Sequence, residues 1–320
     1  MNRRLFCSVL FLATSICAST MAQTYPVKPI RIILPVGPGN TSDTYLRFIG
    51  QKIAESTGQA VVIDNRPGAD GILAMDLGAK APPDGYTLVS GSGGTHTVNP
   101  SMYRKLPYDP IKDFQPLTGI ALGGIVYVVR PNHPARNLSD FVAIAKKSPN
   151  KLNYGTNTQF QRLSIEMLTQ LSSISLVHVP YKTAGPMMTD LLSGQVDLLP
   201  GTLTTFGSLI KSGKLRALGI SSANRPYGFE EIPTIAEQGS PGFEVYTWIG
   251  MFGPAHMPRD LVTRINTLLV KILNSKEAVE YFRKNVMDPM PMTPNELSAF
   301  IRRESDAYKK LIRAANLEIN

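Results

Sequence analysis

Residues 34–43 read LPVGPGNTSD, with Gly37 and Gly39, Pro35 and Pro38, and four small polar residues packed into ten positions. An apolar run, Ile30 to Leu34, leads in, and a helix-like pattern follows. A glycine-rich turn between a strand and a helix leaves backbone N–H groups without partners, so its chemistry is anion binding. A nucleotide loop would need Lys and Ser/Thr after the second glycine, whereas Asn40 and Thr41 follow Gly39. A dinucleotide fingerprint would need a third glycine near Ser42. What remains is a turn running into a helix capped by Ser42 or Thr41, with Asp43 at its start, whose free N–H groups suit one carboxylate. The candidate ligand residues are Val36, Gly37, Pro38, Gly39, Asn40, Thr41, Ser42 and Asp43.

Other polar loops follow β-like runs in the same way. SGSGGT (90–95) ends one, and ligands of open α/β sheets sit outside the carboxyl ends of strands. Ser92, Gly93, Gly94 and Thr95 are therefore assigned to the same cleft. YGTNTQFQR (154–162) is the counterpart further along and contributes Thr156, Asn157, Thr158, Gln159 and Arg162. Two readings of Arg162 stay open: a guanidinium that clamps a second carboxylate, or a surface cation on the first turn of a helix. YKTAGP presents Thr183 and the N–H groups of Ala184 and Gly185 at a helix start, and PGT (200–202) turns Thr202 toward the cleft. Tyr246 and Trp248 either wall the ligand or pack in the core. None of the four histidines is paired at ligand spacing, so no metal site is expected, and no cofactor. A hydrolase would need a nucleophile–base pair, and no G-x-S-x-G elbow or His–acid partner supplies one.

The elements that hold these loops alternate. IRIIL (30–34), AVVIDN (60–65) and GYTLVSG (85–91) read as strands, and 43–57 as a helix with Leu46, Ile49 and Ile53 on one face and Gly58 as its stop. A second set has strands at 125–130, 175–181, 196–202 and 215–222, with helices at 137–149 (capped by Ser139), 163–172 and 185–195. This is βαβ order, which implies parallel strands covered by helices. From Arg259 the chain is mostly helical. FEVYTWIGMFGPAHMP (243–258) is extended and can run back to the first unit. The expected organisation is a first α/β domain at 23–124 and 247–320 and a second at 125–246, with a ligand cleft between them.

Residues 1–22 have the charged start, short apolar run and small-residue end of a secretory leader cut near Ala22. Both cysteines, Cys7 and Cys17, lie inside it, so the exported chain has no disulfide or thiolate. No further run of about 18 apolar residues occurs. Lys and Arg number 33 against 24 Asp and Glu, scattered rather than striped, which argues against nucleic acid and mildly favours an acidic small molecule.

Long strings in order, among them YPVKPIRIILPVGPGNTSD, NRPGADG, PPDGYTLVSG, NPSMYRKLPYDPIKDF, LVHVPYKTAGPMMTDLLSGQVD, GKLRALGISSANR and IPTIAEQGSPGFE, resemble the extracytoplasmic solute receptors of the tripartite tricarboxylate transporters, the TctC-like or Bug family. The resemblance covers nearly the whole chain after the leader. It implies a type II periplasmic-binding-protein fold, a monomer that closes on a small organic acid in the periplasm and hands it to a membrane permease, with no catalytic residues. The same module can instead signal through a sensor kinase. The ligand loop matches the family at Pro35, Pro38, Gly39 and Asp43 and departs at Gly37, Asn40 and Thr41. Pro200-Gly201-Thr202 lacks the acid many relatives carry, which favours a plain acid, such as a flat or aromatic one, over an amino acid, and Arg162 with the threonine-rich loops leans toward a dicarboxylate, aliphatic or aromatic.

Overall fold

A computed structural model describes residues 25–314, so the expected leader and its two cysteines lie outside the described residues. Strand β1 (Ile30–Leu34) runs through the loop into α1 (Thr41–Thr57), which Gly58 stops in the left-handed conformation at φ 72°. There follow β2 (Val61–Asn65), a turn at Ala69–Gly71, α2 (Ile72–Ala79), β3 (Thr87–Ser92), a π-helical turn at Gly94–Val98, α3 (Asn99–Met102) and the long strand β4 (Phe114–Gly124). The chain then passes through β5 (Val126–Val129), α4 (Leu138–Lys147), β6 (Asn153–Thr156), α5 (Gln159–Ser172), β7 (Val177–Pro180) and α6 (Ala184–Ser193). After these come β8 (Leu199–Gly201), α7 (Leu203–Lys211), β9 (Arg216–Ile220) and β10 (Tyr246–Pro254). Helices α8 (Arg259–Leu273) and α9 (Lys276–Lys284), the short β11 (Asp288–Pro289) and α10 (Pro294–Ala314) complete it.

The first sheet has the order β11-β4-β10-β3-β1-β2. β1 is parallel to β2 and β3, as βαβ order requires, but β10 is antiparallel to both β3 and β4. β10 arrives from the second domain without a crossover helix, so nothing constrains it to run parallel. The second domain pairs β5 antiparallel with β8 and β9, and β6 parallel with β7. The Gly155 N–H donates to the Leu198 carbonyl at 3.0 Å and joins these two groups. The sheets are therefore mixed rather than purely parallel. β4 has no clear sequence signature, because Pro116, Gly119, Gly123 and Gly124 interrupt its alternation; its register shifts against β10 accommodate Pro116.

Period-2 alternation sorts the apolar strand residues onto two faces. Ile30, Ile32 and Leu34 pack with α1, α8 and α9, while Ile33 packs with Val89 against α2 and α10. In β5, Tyr127 and Val129 face one core, and Val126 and Val128 the other. Trp248 is fully buried, edge-on to Phe300 at 5.6 Å, so it packs in the core. α10 does not stay with one domain. Leu297 and Ile301 pack in the core around Ile33 and Val89, and Tyr308 and Ile312 in the core around Tyr127 and Leu163.

Ser221 binds the crossings together. Its hydroxyl accepts from the Ile125 N–H at 2.7 Å and donates to the Val245 carbonyl, and its N–H donates to the Ile125 carbonyl at 2.9 Å. α9 ends in a Schellman motif, in which Met287 N–H donates to the Phe282 carbonyl and Val286 N–H to that of Arg283. The left-handed position of that motif is occupied by Val286 at φ 66°, which costs an L-residue about 1–2 kcal/mol.

Gly71 (φ 84°) sits where a Cβ would fall 2.8 Å from both Pro35 Cβ and Thr95 Cγ2, which locks the first polar loop against the second. Gly71→Ala is expected to lower stability by roughly 2–4 kcal/mol in urea unfolding, from backbone strain plus overlap. Gly37→Ala, whose Cβ would meet nothing within 4 Å, is the control and should leave the midpoint unchanged.

Candidate functional site

The loop after β1 is built around a buried carboxylate. Asp43 Oδ2 accepts from the Gly39 N–H at 2.9 Å and from Arg47 Nε at 2.9 Å, and its Oδ1 accepts from Asn65 Nδ2 at 3.0 Å. Asn65 Nδ2 also reaches the Val36 carbonyl at 3.0 Å, and the Val36 side chain packs on the core. Asp43 and Val36 therefore shape the loop from behind. Asn40, not Ser42 or Thr41, caps α1: its side chain lies one residue nearer the turn and accepts from the Ser42 N–H at 3.2 Å. Gly37 is half-buried, and Pro38 and Gly39 are exposed. The N–H groups of Thr41 and Asp43 have no acceptor among the described residues.

The turn after β3 is tighter than a flexible loop. The Thr95 hydroxyl accepts from the Ser92 N–H at 3.0 Å and shares a bond of 3.0 Å with His96 Nδ1, so Thr95 is committed to the turn and buried. The Gly93 carbonyl accepts from the Thr97 hydroxyl. Ser92 and Gly94 remain half-buried at its mouth.

In the second domain, Thr158 caps α5, accepting from the Gln161 N–H at 3.2 Å, and the Asn157 N–H donates to Gln161 Oε1 at 2.9 Å. Thr156 shares a 2.8 Å bond with His178 Nε2. Gln159 Oε1 and Arg162 Nε are buried without partners. Arg162 makes no ion pair among the described residues, and it lies beside Tyr154 and His178. α6 is different. Thr183 has the extended backbone of a capping residue but makes no cap bond. A capping hydroxyl accepts from N2 or N3, and here N3 is Pro186, which has no N–H. The Thr183 hydroxyl and the N–H groups of Ala184 and Gly185 are left exposed, with open space around Gly185.

These segments meet. Thr41 Oγ1 and Thr202 Oγ1 lie 3.1 Å apart across the two domains. Thr202 also caps α7 through the Thr205 N–H, so its hydroxyl is spent on that cap and on Thr41. A Cβ on Gly93 would lie 3.1 Å from the Phe160 ring of α5. The Tyr181 N–H donates to the Thr156 carbonyl at 2.8 Å, which sets the α5 and α6 starts side by side. All of these loops follow the carboxyl ends of strands, and the α1 and α7 starts and the post-β3 turn and α5 meet across the domains.

Residues 45–317 match the model of the tripartite tricarboxylate transporter family receptor, TctC. This chain belongs to that family. BugT of Bordetella pertussis is 31% identical over 323 residues, covering 100% of this chain and 99% of BugT. The TctC-type fold superposes on R. palustris Rpa4515 with adipate at a TM-score of 0.86 and 31% identity, over 91% of this chain and 98% of that one. MatC of Rhodopseudomonas palustris with bound malate matches at 0.81 and 28% identity, over 90% and 100%. The architecture of this TctC-family chain is thus the two-domain periplasmic-binding-protein fold.

The electrostatics of the TctC-family site follow from its bonds. Burial pushes the Asp43 carboxyl up, but Arg47, the Gly39 N–H and Asn65 outweigh it and hold it below the usual range, so it stays charged. Two surface grooves lie away from the loops. One of about 560 Å³ is lined by α8 residues such as Asp260 and Arg264, and one of about 1050 Å³ by α9 with Lys211 and Tyr227–Phe229. Among the described residues no cluster of His, Cys, Asp and Glu is placed to hold a metal, and no helix is long and apolar enough to cross a membrane. Two supports escape a sequence reading. Asn65 sits in NRPGADG with no local signal for its partner 22 residues away, and His178 is set aside once metals are excluded.

Burial and the neighbouring Arg162 guanidinium lower His178 from 6.5 to about 4. It is neutral in the fold and gains a proton when unfolded below 6.5, so its contribution is complete above 6.5 and is lost as pH falls toward 4. His178→Gln, which keeps a hydrogen-bonding group but does not titrate, is expected to flatten the fall in urea midpoint across that window. A parallel loss in parent and variant would remove His178 from the account.

Proposed function

We propose that this TctC-family chain is a periplasmic receptor that captures a small dicarboxylate between its two domains and delivers it to a membrane permease. The observation that carries the reading is the unspent helix start of α6: Thr183 makes no cap bond, Pro186 offers no N–H at N3, and the Thr183 hydroxyl and the Ala184 and Gly185 N–H groups are exposed. The Thr41 and Asp43 N–H groups of α1 offer the matching positive end from the first domain. Both suit a carboxylate. Arg162, without an acidic partner, supplies the cation for a second carboxylate. The adipate and malate in the two similar structures are of this class. The ligand binds the closed arrangement better because only there do both sets of donors reach it, and so it shifts the balance toward closure.

A thermal-shift screen of aliphatic and aromatic dicarboxylates, adipate and malate included, tests this. A ligand at 100 times its dissociation constant adds about 2.7 kcal/mol of stability. At least one diacid should raise the melting temperature and be recovered unchanged, and a flat screen would refute the reading. Arg162→Ala should weaken the diacid hit more than tenfold, the range of a charge-assisted bond worth about 1.5–3 kcal/mol, and spare a monoacid. Pro186→Ala returns an N–H to N3, so Thr183 is drawn into capping. Titration calorimetry should then show binding weakened about fivefold, the value of one neutral hydrogen bond, with the helix itself more stable.

A further inference from the structure

Val286 is a β-branched residue in a conformation that favours glycine, and the only β-branched one with positive φ among the described residues. Other left-handed helix ends carry glycine, as at Gly58 and Gly194, or the unbranched Ser173 at the end of α5. Its side chain is not idle. Val286 belongs to the first domain by its place after α9, yet it packs against the second domain's core of Val126, Leu199, Leu203 and Phe206. The adjacent carbonyl of Asn285 takes two hydrogen bonds. Thr204 of α7 donates to it at 2.8 Å from the second domain, and Tyr45 of α1 donates at 2.6 Å from the first. This carbonyl is one of the unpaired acceptors that end every helix, and the negative end of the helix dipole favours donors there.

The location ties this contact to the ligand loops. Tyr45 lies one turn along α1 from Thr41, and Thr204 lies two residues from Thr202, so the Asn285–Val286 contact sits directly behind the Thr41–Thr202 pair. Any parting of the domains at the cleft breaks both. We propose that the α9 C-terminus is a strained catch: Val286 and the Asn285 carbonyl hold the two domains in the ligand-clasping arrangement, and Val286 is a positioning residue for capture. The inference rests on the receptor reading above for its purpose, but not for its structural test. Strain at Val286 is sustained by its packing on the second domain, so separation leaves the strain without its compensation. The residue therefore acts on closure and touches no ligand.

The experiment uses the full-length exported protein with Val286→Gly, Thr204→Val and Thr204→Ser. Glycine removes both the strain and the plug, so Val286→Gly should keep or raise the ligand-free melting temperature. It should nevertheless increase the radius of gyration in small-angle scattering and weaken the diacid hit about tenfold, as the competent fraction falls. Thr204→Val should expand the molecule in the same way, and Thr204→Ser, which keeps the hydroxyl, should match the parent. Variants with the parent's radius and affinity would overturn the catch. So would a loss of affinity that follows an equal loss of melting temperature, since that marks a merely structural contact. If no diacid binds the parent, the receptor reading fails while the ligand-free scattering still decides the catch.

Discussion

The hydroxyl of Ser221, buried where the chain passes between domains, does what no helix or sheet here does alone. It accepts from Ile125 on the outward crossing and donates to Val245 on the return. The two crossings therefore lie side by side rather than at opposite edges, and the domains share a narrow waist. A Cβ on Gly124 would lie 2.9 Å from both the Ser222 N and Oγ atoms, so the outward crossing also has no spare room. With the waist fixed, the loop after β1 meets that after β8, and the turn after β3 meets the helix after β6, without any one of these loops being long. α10 adds a second constraint. Because Leu297 and Tyr308 lie in different cores, relative motion of the domains must bend or slide this helix.

Every helix begins with N–H groups that its own turns cannot satisfy. The second domain meets them from its own sequence at α4, α5 and α7, through Asn137, Thr158 and Thr202. α6 is the exception: Pro186 is compatible with the helix but removes the N3 donor that the caps of α4, α5 and α7 use, and Thr183 makes no cap bond. α1 is intermediate, since Asn40 and Asp43 take some of its loop's donors and leave others. The carboxylate that Asp43 brings is itself negative, which would repel an anionic ligand. Arg47 and Asn65 neutralise and anchor it, so its charge organises the loop rather than opposing the ligand.

How far this was legible varies with the range of the interaction. Gly58 was readable as the end of α1, and the strands before each polar loop as strands, because these depend on residues within a few positions. The sequence points to Ser42 or Thr41 as the cap of α1, one or two residues late, because Asn40 reads as part of the turn. The cap of α4 was placed at Ser139 when Asn137 supplies it, accepting from the Asp140 N–H at 2.8 Å. β4 was invisible because its proline and glycines contradict a strand until β10 is beside it. The polar loops were found, but not which side chains in them are free. Thr95 and Thr202 carry the same hydroxyl as Thr183, and only the surroundings show that the first is spent on Ser92 and His96 and the second on Thr41 and Thr205.

That difference bears on selectivity. A cleft whose hydroxyls were all free would accept many arrangements of acceptor atoms. Here the Thr41–Thr202 pair spends its hydroxyls on each other, and in the proposed site a ligand would pair with what is left: the two helix starts and the guanidinium of Arg162. The helix starts are fixed by backbone, so they set where a first carboxylate sits and tolerate little change. Arg162 is held by a side chain with several rotatable bonds, beside a histidine kept neutral by burial and by that same arginine. A neutral His178 takes up no charge of its own and leaves the guanidinium's field undivided. Length discrimination among diacids should then reside in the arginine side, where the protein can adjust, and the requirement for a first carboxylate in the helix starts, where it cannot.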